Sequence, residues 1–294
     1  MIKVKRVFVT GGTGFLGKPL VKLLEKNGYQ LLLLARSPEK YHSLLNAKKT
    51  KLVRGDLSNF KVWSRVVSEF KPDLAIHLAW QGIPDFSYEV CSRNLKYGLD
   101  LFEFLARIGC KSVITAGSSW EYGLAAGRVR EDAPVRPSNA LAATKDALHN
   151  LGCEIAKANG QNFIWLRPFS IYGPGHRKTS LVLHLVGRYK AGEPVKVDNP
   201  SVGNDFVYVQ DAAEAITTII DQCRTSGHQV FNIGHGKLVG VAEVANIVYG
   251  KKVLNVESPK GFYADISHIK KLGWHPRTSI TEGIKKTMLL EGYI

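Results

Sequence analysis

The apolar positions of this chain cluster more than they alternate. VKRVFVT (residues 4–10), YQLLLLA (29–35), KLVRG (51–55), DLAIHLA (73–79), CKSVITA (110–116) and QNFIWLR (161–167) are short runs rich in valine, isoleucine and leucine. Continuous hydrophobicity over so short a length predicts strands buried on both faces of a parallel sheet. Between the runs, apolar residues recur at helical spacing over 15–26, 60–70, 88–108 and 141–158. Strand and helix in strict alternation predict an α/β fold with a doubly wound parallel sheet. After about Gly173 the rhythm loosens, and GPG, GEP and DNPSVGN punctuate the chain around one further helix near 181–189. The expected division is a larger domain of residues 1–172, which also receives elements from about 204–235, and a smaller C-terminal lobe of 173–203 and 236–294. In folds of this type ligands bind outside the carboxyl ends of the strands.

Composition narrows the setting. With 294 residues, 45% of them hydrophobic, the chain is long enough to bury a large core. Its longest apolar run, Leu31 to Ala35, falls far short of the roughly 20 residues that span a bilayer. The opening MIKVKRVFVTGG lacks the apolar centre of a signal peptide, so a cytoplasmic protein without membrane attachment is expected. Cys91, Cys110, Cys153 and Cys223 are widely spaced, with no CxxC or Cys/His cluster in the sequence, which predicts reduced core thiols and no metal. The net charge of +15 is spread along the chain. Its densest group, Lys48, Lys49, Lys51 and Arg54, lacks the interleaved aromatics of a single-strand binder, so nucleic acid is not expected. Solvated basic faces and a phosphorylated small-molecule substrate both fit that charge.

The first strand leads into VFVTGGTGFLG (residues 7–17). Gly11, Gly14 and Gly17 between a strand and a helix allow a tight turn whose backbone N–H groups and helix dipole face a pyrophosphate, the Rossmann arrangement for a dinucleotide. At the end of the second strand an acid would bond an unmodified ribose, whereas an arginine accommodates a 2′-phosphate. LLLLARSPEK places Arg36 there and no acid before Glu39, so NADP is expected over NAD; the alternative is that Arg36 stacks on adenine or points to solvent. Asp56, in RGDLS, suits the adenine amino group or, alternatively, a helix cap for which Ser58 competes.

TGGTGFLG, RGDL (54–57), IHLAW (76–80), Asn94, GSSWEYG (117–123), LRPFSIYGPG (166–175), DFVYVQDAAEAI (205–216), FNIGHG (231–236) and ADISHIKKLGWHP (264–276) together resemble extended short-chain dehydrogenases/reductases, the group of nucleotide-sugar epimerases, dehydratases and ketoreductases. The likeness runs through almost the whole chain in order. It implies a Ser or Thr after the fifth strand and a Tyr-x-x-x-Lys on the next helix, which moves a proton at a sugar oxygen while hydride passes to or from the nicotinamide. Ser118 and Lys145 match; the tyrosine position holds Leu141. The family's dehydratase acid pair is replaced by Ser119 and Trp120, which argues against elimination of water.

The resemblance further implies cofactor contacts at Gly11, Thr13, Gly14, Phe15, Leu16, Gly17, Arg36, Asp56, Leu57, Leu78, Ala79, Lys145 and Pro168. It implies substrate contacts at Ser119 and Trp120, and a homodimer. Where family members often carry an arginine against the diphosphate this chain has Asn204; Arg177, Lys178 and Lys260 could supply the charge instead, the alternative for each being a solvated surface position. Trp80, Trp120 and Phe86 are open to two readings, stacking on a sugar or base and apolar packing. With Leu141 unable to exchange a proton, Ser118 and Lys145 with a water are expected to replace the tyrosine. The reading that follows is NADP-dependent reduction of a nucleotide-linked 4-keto sugar. Its alternatives are a nucleotide-sugar 4-epimerase and a non-catalytic NADP-binding sensor or partner subunit.

Overall fold

All six strands expected from the apolar runs form and lie side by side. They are β1 (Arg6–Thr10), β2 (Gln30–Ala35), β3 (Thr50–Arg54), β4 (Leu74–His77), β5 (Ser112–Ala116) and β7 (Asn162–Pro168). With β11 (His228–Ile233) they make a seven-stranded sheet in the order β11-β7-β5-β4-β1-β2-β3, and the pairings from β3 through β7 are all parallel. This is the expected doubly wound α/β fold: the strand order reverses between β1 and β4, which opens a crevice at their carboxyl ends. The computed structural model describes residues 4–41, 46, 48–223, 226–255 and 258–294. The chain forms two compact units, unit 1 of 1–123, 134–167 and 220–231, and unit 2 of 124–133, 168–219 and 232–294.

In unit 1 the helices follow from their sequence spacing. The first, α1 (Gly17–Lys26), buries Gly17, Leu20, Val21 and Leu24 along one stripe. It starts at Gly17 and not at Phe15, because residues before it form the turn that Gly14 N–H closes onto Gly11 O at 2.9 Å. Next, α2 (Phe60–Phe70) buries Trp63, whose ring lies 5.9 Å from Phe8 and edge-on to Phe60 and Phe104, with its indole N–H donating to Asp56 O at 2.8 Å. The longer α3 (Tyr88–Arg107) and α4 (Ala140–Ala158) are capped by Ser87 and Asn139, the latter accepting Ala142 N–H at 2.9 Å. They pack closely because a Cβ at Gly98 would come within 2.7 Å of Leu148, and one at Gly152 within 2.9 Å of Phe102.

Unit 2 is built from shorter pieces. Strands β6 (Gly127–Val129), β9 (Val202–Asn204), β12 (Val239–Gly240) and β13 (Lys260–Ala264) form a second sheet in the order β12-β9-β13-β6, and β8 (Ser170–Tyr172) pairs with β10 (Phe206–Tyr208). Helices α5 (Leu181–Lys190), α6 (Val209–Gln222), α7 (Val241–Tyr249), α8 (Ser267–Lys270) and α9 (Ile280–Leu290) complete the chain. A core of Tyr172, Leu185, Phe206, Val244 and Ile284 joins α5, α7 and α9 to the β8–β10 pair. Buried Asp205 accepts the N–H groups of His235, Gly236 and Ala264 at 2.6–3.0 Å, and burial pushes its carboxyl up to about 6. Asp211 accepts Thr278 N–H at 2.8 Å and the Thr278 hydroxyl at 3.1 Å.

Among the described residues no helix is long and apolar enough to cross a membrane. All four cysteines are free. The sequence shows no Cys/His cluster, but the fold assembles one: the sulfur of Cys153 lies within 4.8 Å of a ring nitrogen of His149 and of His228, which comes from a distant strand.

Candidate active site

The crevice of unit 1 begins with the glycine turn. Gly11 has φ +76°, and a Cβ there would lie 2.6 Å from Ala79 N and 2.7 Å from Leu78 C, so only glycine fits between the ends of β1 and β4. A Cβ on Gly17 would come within 2.1 Å of Gly11 O. Gly14 is exposed, with Thr13, Phe15 and Leu16 half-buried beside it. The first turn of α1 carries no acid and no side-chain cap, so no negative group competes with an anion at this helix terminus. These features fit a dinucleotide's pyrophosphate.

At the ends of the next two strands, Arg36 is exposed and Asp56 half-buried. Asp56 accepts Ser58 N–H at 2.9 Å and the Gln81 side-chain amide at 2.5 Å; α2 is preceded by Asn59, so Asp56 is not its cap. Burial raises the Asp56 carboxyl, but hydrogen bonds from Ser58 and Gln81 and the Arg36 charge together hold it below the usual carboxylate value. Gln81 is itself fixed by Asn94, which accepts Gln81 N–H at 2.8 Å and donates to Gln81 O at 3.0 Å. Leu57 is buried, and Leu78 and Ala79 are half-buried beside the glycine turn.

The groups expected to handle a proton gather past β5. Ser118 Oγ accepts Trp120 N–H at 3.1 Å, and Glu121 accepts Ser118 N–H at 2.7 Å, a reciprocal cap over the short turn Ser119–Tyr122. The Ser118 hydroxyl is thereby fixed as an acceptor and keeps its own proton for a ligand oxygen. Glu121, fully buried, also accepts from Trp165 and from Arg167 Nε at 2.7 Å. Burial pushes the Glu121 carboxyl up, against the lowering effect of Arg167. Arg167 donates to the Tyr122 hydroxyl at 3.0 Å, which makes Tyr122 part of this buried support.

Lys145, one turn after half-buried Leu141 on α4, is 8% exposed. Its Nζ donates to Ala116 O at 2.5 Å and stands 4.3 Å from the centre of the Trp80 ring. Burial pushes the ammonium down to about 8, opposed by Glu121 and Cys91. The Trp80 Nε1–H is buried without a partner, an open donor beside the lysine. Buried His77, bonded to the Thr10 hydroxyl at 2.7 Å, is held neutral, burial and then Lys145 lowering it to about 3.

Thus the structure brings Ser118 and Lys145 to the carboxyl end of β5, with Ser119 buried and Trp120 exposed against Phe86 at 5.8 Å. Pro168, Arg177 and Lys178 belong to unit 2, the last two exposed between β8 and α5. The contacts of Trp80 with Lys145 and of Arg167 with Glu121 are ones that sequence reasoning does not supply. IHLAW shows a bulky ring after β4, but nothing in it shows that the ring meets a lysine 65 residues later.

A nucleotide-binding α/β enzyme is the class that this fold and crevice define. Residues 7–234 match the model of the NAD dependent epimerase/dehydratase family, and the chain belongs to that family, whose members are NAD-dependent nucleotide-sugar enzymes. It is 28% identical over 306 residues to UDP-glucuronate 4-epimerase of Thermodesulfobacterium geofontis (strain OPF15), covering 95% of this chain and 94% of that one. UDP-glucose 4-epimerase of Mycolicibacterium smegmatis is 26% identical over 319 residues, covering 96% and 97%. The solved structure of MoeE5 in complex with UDP-glucuronic acid and NAD superposes with TM-score 0.83 at 27% identity, covering 98% of this chain and 99% of that one. Both sequence relatives are 4-epimerases, so the 4-epimerase alternative fits better than 4-keto-sugar reduction. NAD, where NADP was expected for this chain, is the cofactor in the MoeE5 complex.

Proposed function

We propose that the protein is an NAD-dependent 4-epimerase of a UDP-linked sugar that transfers its proton without the family tyrosine. The observation that carries this reading is Lys145: a buried amine lowered to about 8 beside the Ser118 turn is poised to exchange a proton near neutral pH. Bound NAD would supply hydride acceptance and return at sugar C4. The turn from Gly11 to Gly17 would hold the pyrophosphate, Arg36 the ribose edge, Asp56 and Leu57 the adenine, and Leu78 and Ala79 the strand-end contacts. Lys145 would bond the nicotinamide ribose and, with Ser118, hold and move the proton at the sugar hydroxyl oxygen. Ser119 and Trp120 are the proposed sugar contacts. Pro168, Arg177 and Lys178 are the proposed contacts from unit 2, and homodimerisation through α3 and α4 completes the proposal.

The test is incubation of purified protein with UDP-glucuronic acid and with UDP-glucose, without added cofactor, followed by proton NMR of the sugar ring. Appearance of the C4 epimer is expected. NADPH-dependent consumption of a UDP-4-keto sugar with no epimer formed would overturn the reading in favour of reduction. NAD retained with neither activity would leave the binding-protein alternative.

A further inference from the structure

Away from the crevice, one face of α4 carries a second arrangement that the epimerase reading does not use. His149 and Cys153 stand one helical turn apart on α4, and His228 opens the edge strand β11. One ligand atom from each of the three lies within 4.8 Å of the others. The two imidazole Nε2 atoms face each other at 2.8 Å. The His149 ring is held by stacking on Trp165 at 4.6 Å and an interplanar angle of 18°. His149 is buried, Cys153 half-buried and His228 exposed, which leaves a path from solvent to the cluster.

We infer that His149, Cys153 and His228 bind one zinc(II) ion. Two imidazoles and a thiolate are the donor set of a borderline-soft cation, and zinc accepts three such ligands in a tetrahedron with the fourth position left to water. Zn–N bonds of about 2.0 Å and a Zn–S bond of about 2.3 Å put tetrahedral donors between 3 and 4 Å apart, roughly. The facing nitrogens at 2.8 Å have to part slightly and the sulfur, within 4.8 Å of both, to close in, as the cation displaces to solvent the proton between the two rings and the proton of the Cys153 thiol. Arg167, the nearby guanidinium, is already paired with Glu121 at 2.7 Å. The ion would tie α4, the helix that carries Lys145, to the edge of the sheet.

The probe is cobalt(II), added to metal-free protein and read by visible and near-ultraviolet absorption, with zinc(II) as competitor. One equivalent is expected to give a thiolate-to-cobalt charge-transfer band and tetrahedral d–d bands, both abolished by excess zinc. Cys153→Ser should remove the charge-transfer band, and His228→Ala, at an exposed position, should weaken cobalt binding at least tenfold with circular dichroism unchanged. A wild-type protein without the charge-transfer band, or a band that survives Cys153→Ser, overturns the site. The readout needs neither substrate nor turnover, so it fails or succeeds separately from the epimerase reading.

Discussion

Both units bury charged groups, and they treat them in opposite ways. In unit 2, Asp205 meets three backbone N–H donors and Asp211 is tied to the backbone and hydroxyl of Thr278, so each carboxylate closes a loop onto a strand or helix. In unit 1, Glu121 is likewise enclosed by Arg167, Trp165 and Ser118, but Lys145 beside it has one carbonyl and an aromatic face, and the neighbouring Trp80 N–H has nothing. Buried polar groups are nearly always paired, because an unpaired one costs about 1–3 kcal/mol. Full pairing is what a structural brace requires, and the partial pairing around Lys145 is what the proposed ligand site requires.

The sharpest way to break this contrast is to remove one buried charge from each side. Lys145→Ala is expected to lower kcat by about a thousandfold, within the usual range for loss of a positioned acid–base group, while thermal unfolding changes little. Its pH profile sharpens the point: with the free amine acting as the proposed base, kcat/KM should rise with pH and level off above about 8, and Lys145→Arg should abolish the rise. Asp205→Asn should do the reverse, leaving turnover per folded molecule intact but destabilising the fold by about 3 kcal/mol, because an amide cannot accept from all three N–H groups.

The pH dependence of stability separates the same two groups. The folded-state pKa of Asp205, about 6, lies above its ordinary 3.8. The stability linked to its bound proton is therefore full below about pH 4 and is lost as pH rises through about 6. Asp205→Asn should remove that slope from urea-unfolding measurements.

Two smaller changes probe the crevice itself. Leu141→Tyr is expected to raise kcat about a hundredfold by restoring a phenol one turn before Lys145, and no gain would mean that the proton follows another route. Arg36→Ala should cost about tenfold, or about 1.4 kcal/mol, in NAD affinity in a fluorescence titration.

The sheet of unit 1 was legible because both faces of its central strands are covered, so every position along VFV or FIWL had to be apolar. Unit 2 was legible only as a change of rhythm: β6, β9 and β12 are two or three residues long, too short to carry any period. The glycine turn could be read locally because its constraint is local, although α1 starts two residues later than its apolar spacing suggests. Glu121 could not be read, since its burial depends on Arg167, 46 residues further on. His149 and Cys153 show the i, i+4 spacing in the sequence, but His228 lies 79 residues from His149 and joins them only through the sheet. Contacts made across the fold leave no periodic trace.

The stacking of Trp80 on Lys145 also gives the crevice an optical handle. Of the five tryptophans, Trp63 and Trp165 are sealed in the core, whereas the Trp80 indole has an ammonium 4.3 Å from its ring centre. Indole emission responds to a charge against its π face, so discharging the lysine should change the colour and yield of this one fluorophore. The enzyme would thus signal the state of its own base in light, with no label attached.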